Sequence, residues 1–265
     1  MITRTRFAGT MAGLLMSLAI ATAPVLAASA PDASARGTSD PHRRAGAATI
    51  RIHCTAEWLA AKANPTVENL QKVGFCEIDR RLVTIDRLQA AISTARALTD
   101  EHEAALADIL NADERGLIAL RAEIAADTTV AELRADIKSI FADYRIYVLV
   151  VRQVWLVRGD DLVDAAGARL TNAAGRLGAA IEQAAASGKD VSEAREHLGK
   201  MEAAVAAALA EVDGDAEAVL ALTPADWNAG TAEPLLRAAR ASIGAARADL
   251  KVAMSEARAV LAALH

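Results

Sequence analysis

From Leu70 almost to the end of the chain, apolar residues return every three or four positions. That period puts them on one face of an α-helix, whereas on a strand it would scatter them over both faces. Each stripe must be buried against another, so the chain is constrained to a bundle of amphipathic helices. Composition agrees. The 265 residues are 53% hydrophobic but only 3% aromatic, and alanine, which loses no side-chain entropy on entering a helix, makes up most of the difference.

Breaks divide the pattern. Pro65-Thr66 opens a first stripe of Leu70, Val73, Ile78, Leu82, Ile85, Leu88, Ile92 and Ala95. Asp100 and Glu103 have capping-box spacing before Leu106, Leu110, Leu117, Leu120 and Ile124. Thr129 and Glu132 repeat that spacing before Leu133, Ile137, Ile140, Tyr144, Tyr147, Val151 and Val154. No firm stop follows, because the lone Gly159 costs only about 1 kcal/mol in a helix. Val163, Ala166, Leu170, Ala173, Leu177 and Ala184 carry the stripe on to "ASGKD", with its register, and so its buried face, expected to turn at Gly159. Asp190 and Glu193 then cap a helix lined by Val191, Ala194, Leu198, Met201, Val205, Leu209 and Val212. "ALTPADWNAGTAEP" reads as a loop, and Leu236 to Leu264 line the last helix.

The expected fold is all-α: an elongated antiparallel bundle in which two three-helix, spectrin-like bundles share one long central helix. That helix would cover 129–186, about 85 Å at 1.5 Å per residue. The bundles would occupy 49–157 and 158–265. "YRIYVLVVRQVWLV" falls where they meet, and a helix covered on several sides should be apolar all round. The run is too short for a membrane span and is interrupted by Arg152 and Gln153. No second β-like run exists to pair with it as a strand.

The N-terminus has the layout of an export signal over 1–30. Arg4 and Arg6 precede an apolar stretch, and small residues ending at Ala27 or at Ala30 offer alternative cleavage sites. Residues 31–48 read as a disordered linker. The expected location is therefore extracellular or cell-wall-associated, without membrane insertion after cleavage. In that setting Cys54 and Cys76 are expected to form a disulfide. His53 beside Cys54 lacks further ligands at metal spacing.

The formal charge of −5 and the mixing of basic with acidic residues argue against nucleic acid. No cofactor, metal or catalytic motif is present in sequence. The five histidines read as surface residues, Ser187 lacks a nucleophile-elbow setting, and Asp113 and Glu114 read as partners for basic residues across the bundle. Gly175 and Gly178 suggest close helix packing. Tyr144, Arg145, Tyr147, Arg152, Trp155 and Arg158 form the densest mixture of aromatic and polar groups, a candidate binding patch for an anionic or sugar-bearing ligand. The alternative is a junction core with its own ion pairs, Arg158 reaching Asp161.

"CEIDRRLVTIDRLQAAI", "LTDEHEAALADIL", "GLIALRAEIAADTTVAELRADIKSI" and "DYRIYVLVVRQVWLVRGDD" together resemble exported, helix-rich, coiled-coil-like proteins of high-GC actinobacteria. The resemblance covers about 76–161. It implies export and long helices, and brings no activity or site residues. The resulting expectation is a secreted or envelope-associated interaction or spacer protein without catalysis, with an envelope or extracellular protein as partner. The alternatives are a ligand binder at 144–158 and, more remotely, an enzyme.

Overall fold

The computed structural model describes residues 53–265 and, among them, only helices and their connections. The signal at 1–30, the linker at 31–48 and the start of the first bundle at 49–52 lie outside the described residues. Among those described, no helix is long and apolar enough to cross a membrane.

A short α1 (Thr55–Ala63) leads into α2 (Val67–Ser93), α3 (Asp100–Ala126) and α4 (Val130–Ala142). Thr66 caps α2, its side chain accepting from the Asn69 N–H. Thr99 caps α3, one residue earlier than the Asp100 spacing suggests. The Thr129–Glu132 capping box at α4 forms as expected. These helices pack around Ile78, Ile85, Leu106, Leu110, Leu117, Ile124, Leu133 and Ile140, all buried. The Cys54–Cys76 disulfide joins the start of α1 to α2, with the Cα atoms 5.7 Å apart.

The second bundle consists of α5 (Val151–Ala186), α6 (Ser192–Val212) and α9 (Ala232–Ala263). Between the latter two lie α7 (Asp215–Leu220) and α8 (Pro224–Ala229). The segment expected as a loop is thus partly helical: Thr223 and Asp226 make a capping box with Pro224 in the first turn. At the other end of the bundle "ASGKD" is a turn, with Gly188 at φ 86°, where a side chain would be strained.

The all-α bundle is as expected, but the central helix is not continuous. It stops at Ala142 and resumes as a π-helical turn (Ile146–Val150) that runs into α5. Leu149 and Val150 both donate to the Arg145 carbonyl, at 2.8 and 3.4 Å. The extra residue in that turn rotates the buried face. The change of face expected at Gly159 is therefore made earlier, and Gly159 lies within α5. Of the glycine pair expected to mark close packing, Gly175 has open space where a Cβ would point and Gly178 only ordinary contact with Leu198 at 3.6 Å, whereas at Gly167 in the same helix a Cβ would come within 2.6 Å of Leu209.

Candidate functional site

The junction is built on the broken helix. Ile146, Leu149, Val154 and Val157 turn inward and are at most 1% exposed. They continue the core of the first bundle toward Val219, Leu222 and Leu236. Gln153 is buried with them, since its Nε2 donates to the carbonyls of both Val219 and Leu222 at 2.9 Å. One amide thus braces the turn that leaves α7, bonding the Leu222 carbonyl and adding a second donor to the Val219 carbonyl, which also accepts the Leu222 N–H.

The break has a similar brace. Asn228 on α8 donates through Nδ2 to the Ala142 carbonyl at 2.9 Å and accepts from Arg145 Nε at 2.9 Å. The last turn of α4 is thereby tied to the segment before α9.

The six residues of the candidate patch point in different directions. Tyr144 lies against Gly116 on α3, and burial together with nearby Asp113 raises its phenol above the ordinary range. Arg145 goes to Asn228. Arg152 lies over the Trp227 ring at 5.5 Å. Tyr147 lies 4.9 Å below Arg80 and 5.4 Å from Arg81. Arg158 covers the ring of Trp155 at 4.7 Å, and that ring is 55% exposed. Tyr147 and Arg152 are exposed as well, but Trp155 and the half-buried Arg158 stack on each other at the surface, and Leu162, 48% exposed, extends their face by one turn.

Tyr147 belongs to a network inside the first bundle. Glu77 and Arg81 are each 3% exposed and joined by a 2.7 Å ion pair. Arg80 reaches the same carboxylate at 2.8 Å, and the Trp58 indole N–H donates to its other oxygen at 3.0 Å. The Arg81 guanidinium also lies 4.6 Å from the Phe141 ring. Burial lowers the Arg81 pKa from its ordinary value, and Glu77 opposes that shift. The disulfide sets this up: Cys76 precedes Glu77, and Trp58 is one turn beyond Cys54.

Arg158 does not pair with Asp161. Asp161 is buried and turns toward α3, where Oδ2 accepts the Thr99 N–H at 2.8 Å and Oδ1 lies 2.8 Å from His102 Nδ1. Asp160 beside it is 5% exposed, and its Oδ2 accepts no hydrogen bond from the described residues. Carboxylate oxygens of Asp160, Asp161 and Asp164 lie within 4.8 Å of one another. Burial first, then the charges of Asp164, Asp161 and Asp215, push the Asp160 carboxyl up to about 7. Burial and Asp161 also raise Asp164.

Sequence reasoning missed this cluster, although Asp160 and Asp164 stand at i, i+4, a like-charged spacing that a helix ordinarily avoids. It also placed all five histidines on the surface. His102 is partly buried against Asp161, and His197 is partly buried 2.6 Å from Glu256, while His42 lies outside the described residues. Among the described residues, Asp113 and Glu114 do not take basic partners. Glu114 accepts from Gln89, and burial raises Asp113 to about 6.

Away from the junction, an apolar groove of about 640 Å³ runs between α1 and α4, lined by Trp58, Leu59, Ile137 and Phe141 with Lys62 and Lys138. None of the six patch residues lines it. Comparison with protein-family models, curated proteins and solved structures gives no match.

Proposed function

We propose that the protein is an exported, non-catalytic helical interaction or spacer module of the cell envelope or extracellular space. The observation that carries this reading is the filled junction. Ile146, Leu149, Val150, Val154 and Val157 are buried, and Gln153, Arg145 and Arg152 are taken up by the segment 219–228. A junction braced in this way transmits a fixed relation between two bundles, which is what a spacer needs. The disulfide suits an oxidising location. The outward face of Trp155, Arg158 and Leu162 supplies the contact, because indole and guanidinium groups are common anchors of protein interfaces.

The test is crosslinking on intact cells that make the protein, comparing wild type with a Trp155→Ser/Leu162→Ser variant. The expected result is a crosslinked envelope protein that the variant fails to capture. Recovery of the wild type only as uncrosslinked monomer from the medium would sink the proposal.

A further inference from the structure

We propose that Asp160, Asp161 and Asp164 form a binding site for a hard divalent cation of the calcium class on the side of α5. One carboxylate oxygen from each falls within 4.8 Å of the other two. Calcium takes oxygen ligands at about 2.3–2.6 Å, so ligands on opposite sides of one ion stand about 5 Å apart. The spacing therefore suits a single ion.

Clustered acids alone would carry little, and Asp160 adds the decisive observation. It is 5% exposed, its Oδ2 has no hydrogen-bond partner among the described residues, and it is one of the three carboxylates that converge. A carboxylate taken out of water requires donors or a cation. Among the described residues, neither Asp160 nor Asp164 pairs with a Lys or Arg, and His102 is engaged with Asp161. Arg247 on α9 comes close to Gly159 but makes no ion pair with the cluster. Asp215 on α7 adds a second buried oxygen with no donor near Asp160.

The remaining features suit an ion that exchanges with solvent. The Thr99 N–H and His102 fix the orientation of Asp161, while each of its oxygens retains a further lone pair. Asp164 is exposed, which opens a path for the ion and leaves room for coordinated water. An all-oxygen set selects hard cations over zinc or copper. Calcium is favoured over magnesium because three carboxylates with oxygens up to 4.8 Å apart fit its longer bonds and flexible geometry, whereas magnesium holds about 2.0–2.1 Å bonds in a near-ideal octahedron and prefers fewer carboxylates with more water. A bound ion would neutralise like charges where α5 meets α3 and α7, making the junction's stability calcium-dependent.

The experiment uses the full chain after treatment with chelator, titrated separately with calcium chloride and magnesium chloride by calorimetry and followed by thermal melts. The expected result is one saturable calcium site and a rise in Tm. Asp160→Asn and Asp164→Asn should each raise the calcium Kd roughly tenfold or more. Both should keep wild-type helicity and, without metal, melt no lower than wild type, because each removes like-charge repulsion. Glu193→Gln, at an exposed acid on α6, should leave binding unchanged. Three outcomes would each overturn the proposal: no saturable heat from millimolar calcium, unchanged binding in the Asp160→Asn/Asp164→Asn double variant, or tighter binding of magnesium than calcium.

Discussion

Ile78, Ile85, Leu110, Leu117 and Ile124 fill the space between α2, α3 and α4, whereas Ala174, Ala194, Ala246 and Ala253 are buried between α5, α6 and α9. The first bundle closes around bulky side chains. The second buries more alanine, which leaves less side chain between its helices. The first also contains the disulfide and the buried Glu77–Arg81 pair. Two halves with the same helix-stripe pattern thus reach burial with different materials, and should fail differently. Removing groups should hurt the first bundle most, and adding groups the second.

The largest effect is expected at Glu77. Replacing it by alanine leaves Arg81 buried without its counter-charge and the Trp58 N–H without an acceptor. Breaking a buried pair from one side costs about 3–5 kcal/mol. Urea unfolding of Glu77→Ala should show such a loss, with hydrogen exchange rising first in α1 and α2. A loss below about 1 kcal/mol would mean that the side chains reach water and that the pair is not an internal feature of this bundle.

Next in size is the disulfide. Its cysteines are 22 residues apart, and a ring of that length contributes about 3 kcal/mol through the unfolded chain. Reduction should therefore lower stability by that order, with loss of protection concentrated in α1. Equal loosening of α5, α6 and α9 would show that the two bundles unfold as one unit and that the contrast between them has no energetic meaning.

These contrasts also explain what was legible in the sequence. The apolar stripes of α2, α3, α6 and α9 were readable because three-four spacing is local. So was the cysteine pair, which needs only number and compartment. The break at 143–145 was not readable, because no proline or glycine marks it. It is held by Asn228, more than eighty residues away, which replaces a lost helix partner of Ala142. Short α8 carries a local signal: Thr223, Pro224 and Asp226 spell a capping box. The candidate patch dispersed because a helical segment buried on several sides sends each long side chain to a different neighbour. His102 with Asp161 had no local signal, for the two are 59 positions apart.

Overpacking tests the second bundle. Ala253 on α9 has 0% exposure within its core. Extra methylenes in such a seam cost about 1–3 kcal/mol. Ala253→Leu should lose that much by urea unfolding, with exchange rising in α6 and α9 and α2 unaffected. A neutral or stabilising result would show a slack seam, and the response to added groups would no longer distinguish the two halves.

The effect spread over the narrowest range of conditions is expected from pH. Burial raises Asp113 on α3 from 3.8 to about 6. The folded protein then holds that proton more tightly than the unfolded chain does, and between these values it binds more of it. The stability contributed by Asp113 is therefore present at low pH, declines as pH rises from about 4 to about 6, and is lost above the folded value. Asp113→Asn keeps the shape and removes the charge, so the variant should match wild type near pH 4 and exceed it near pH 8. Taking the difference between variant and wild type cancels every other titrating group common to both. A constant difference across that range would show that water reaches the carboxylate freely, and the core between α3 and the neighbouring Tyr144 would have to be less closed than its branched side chains imply.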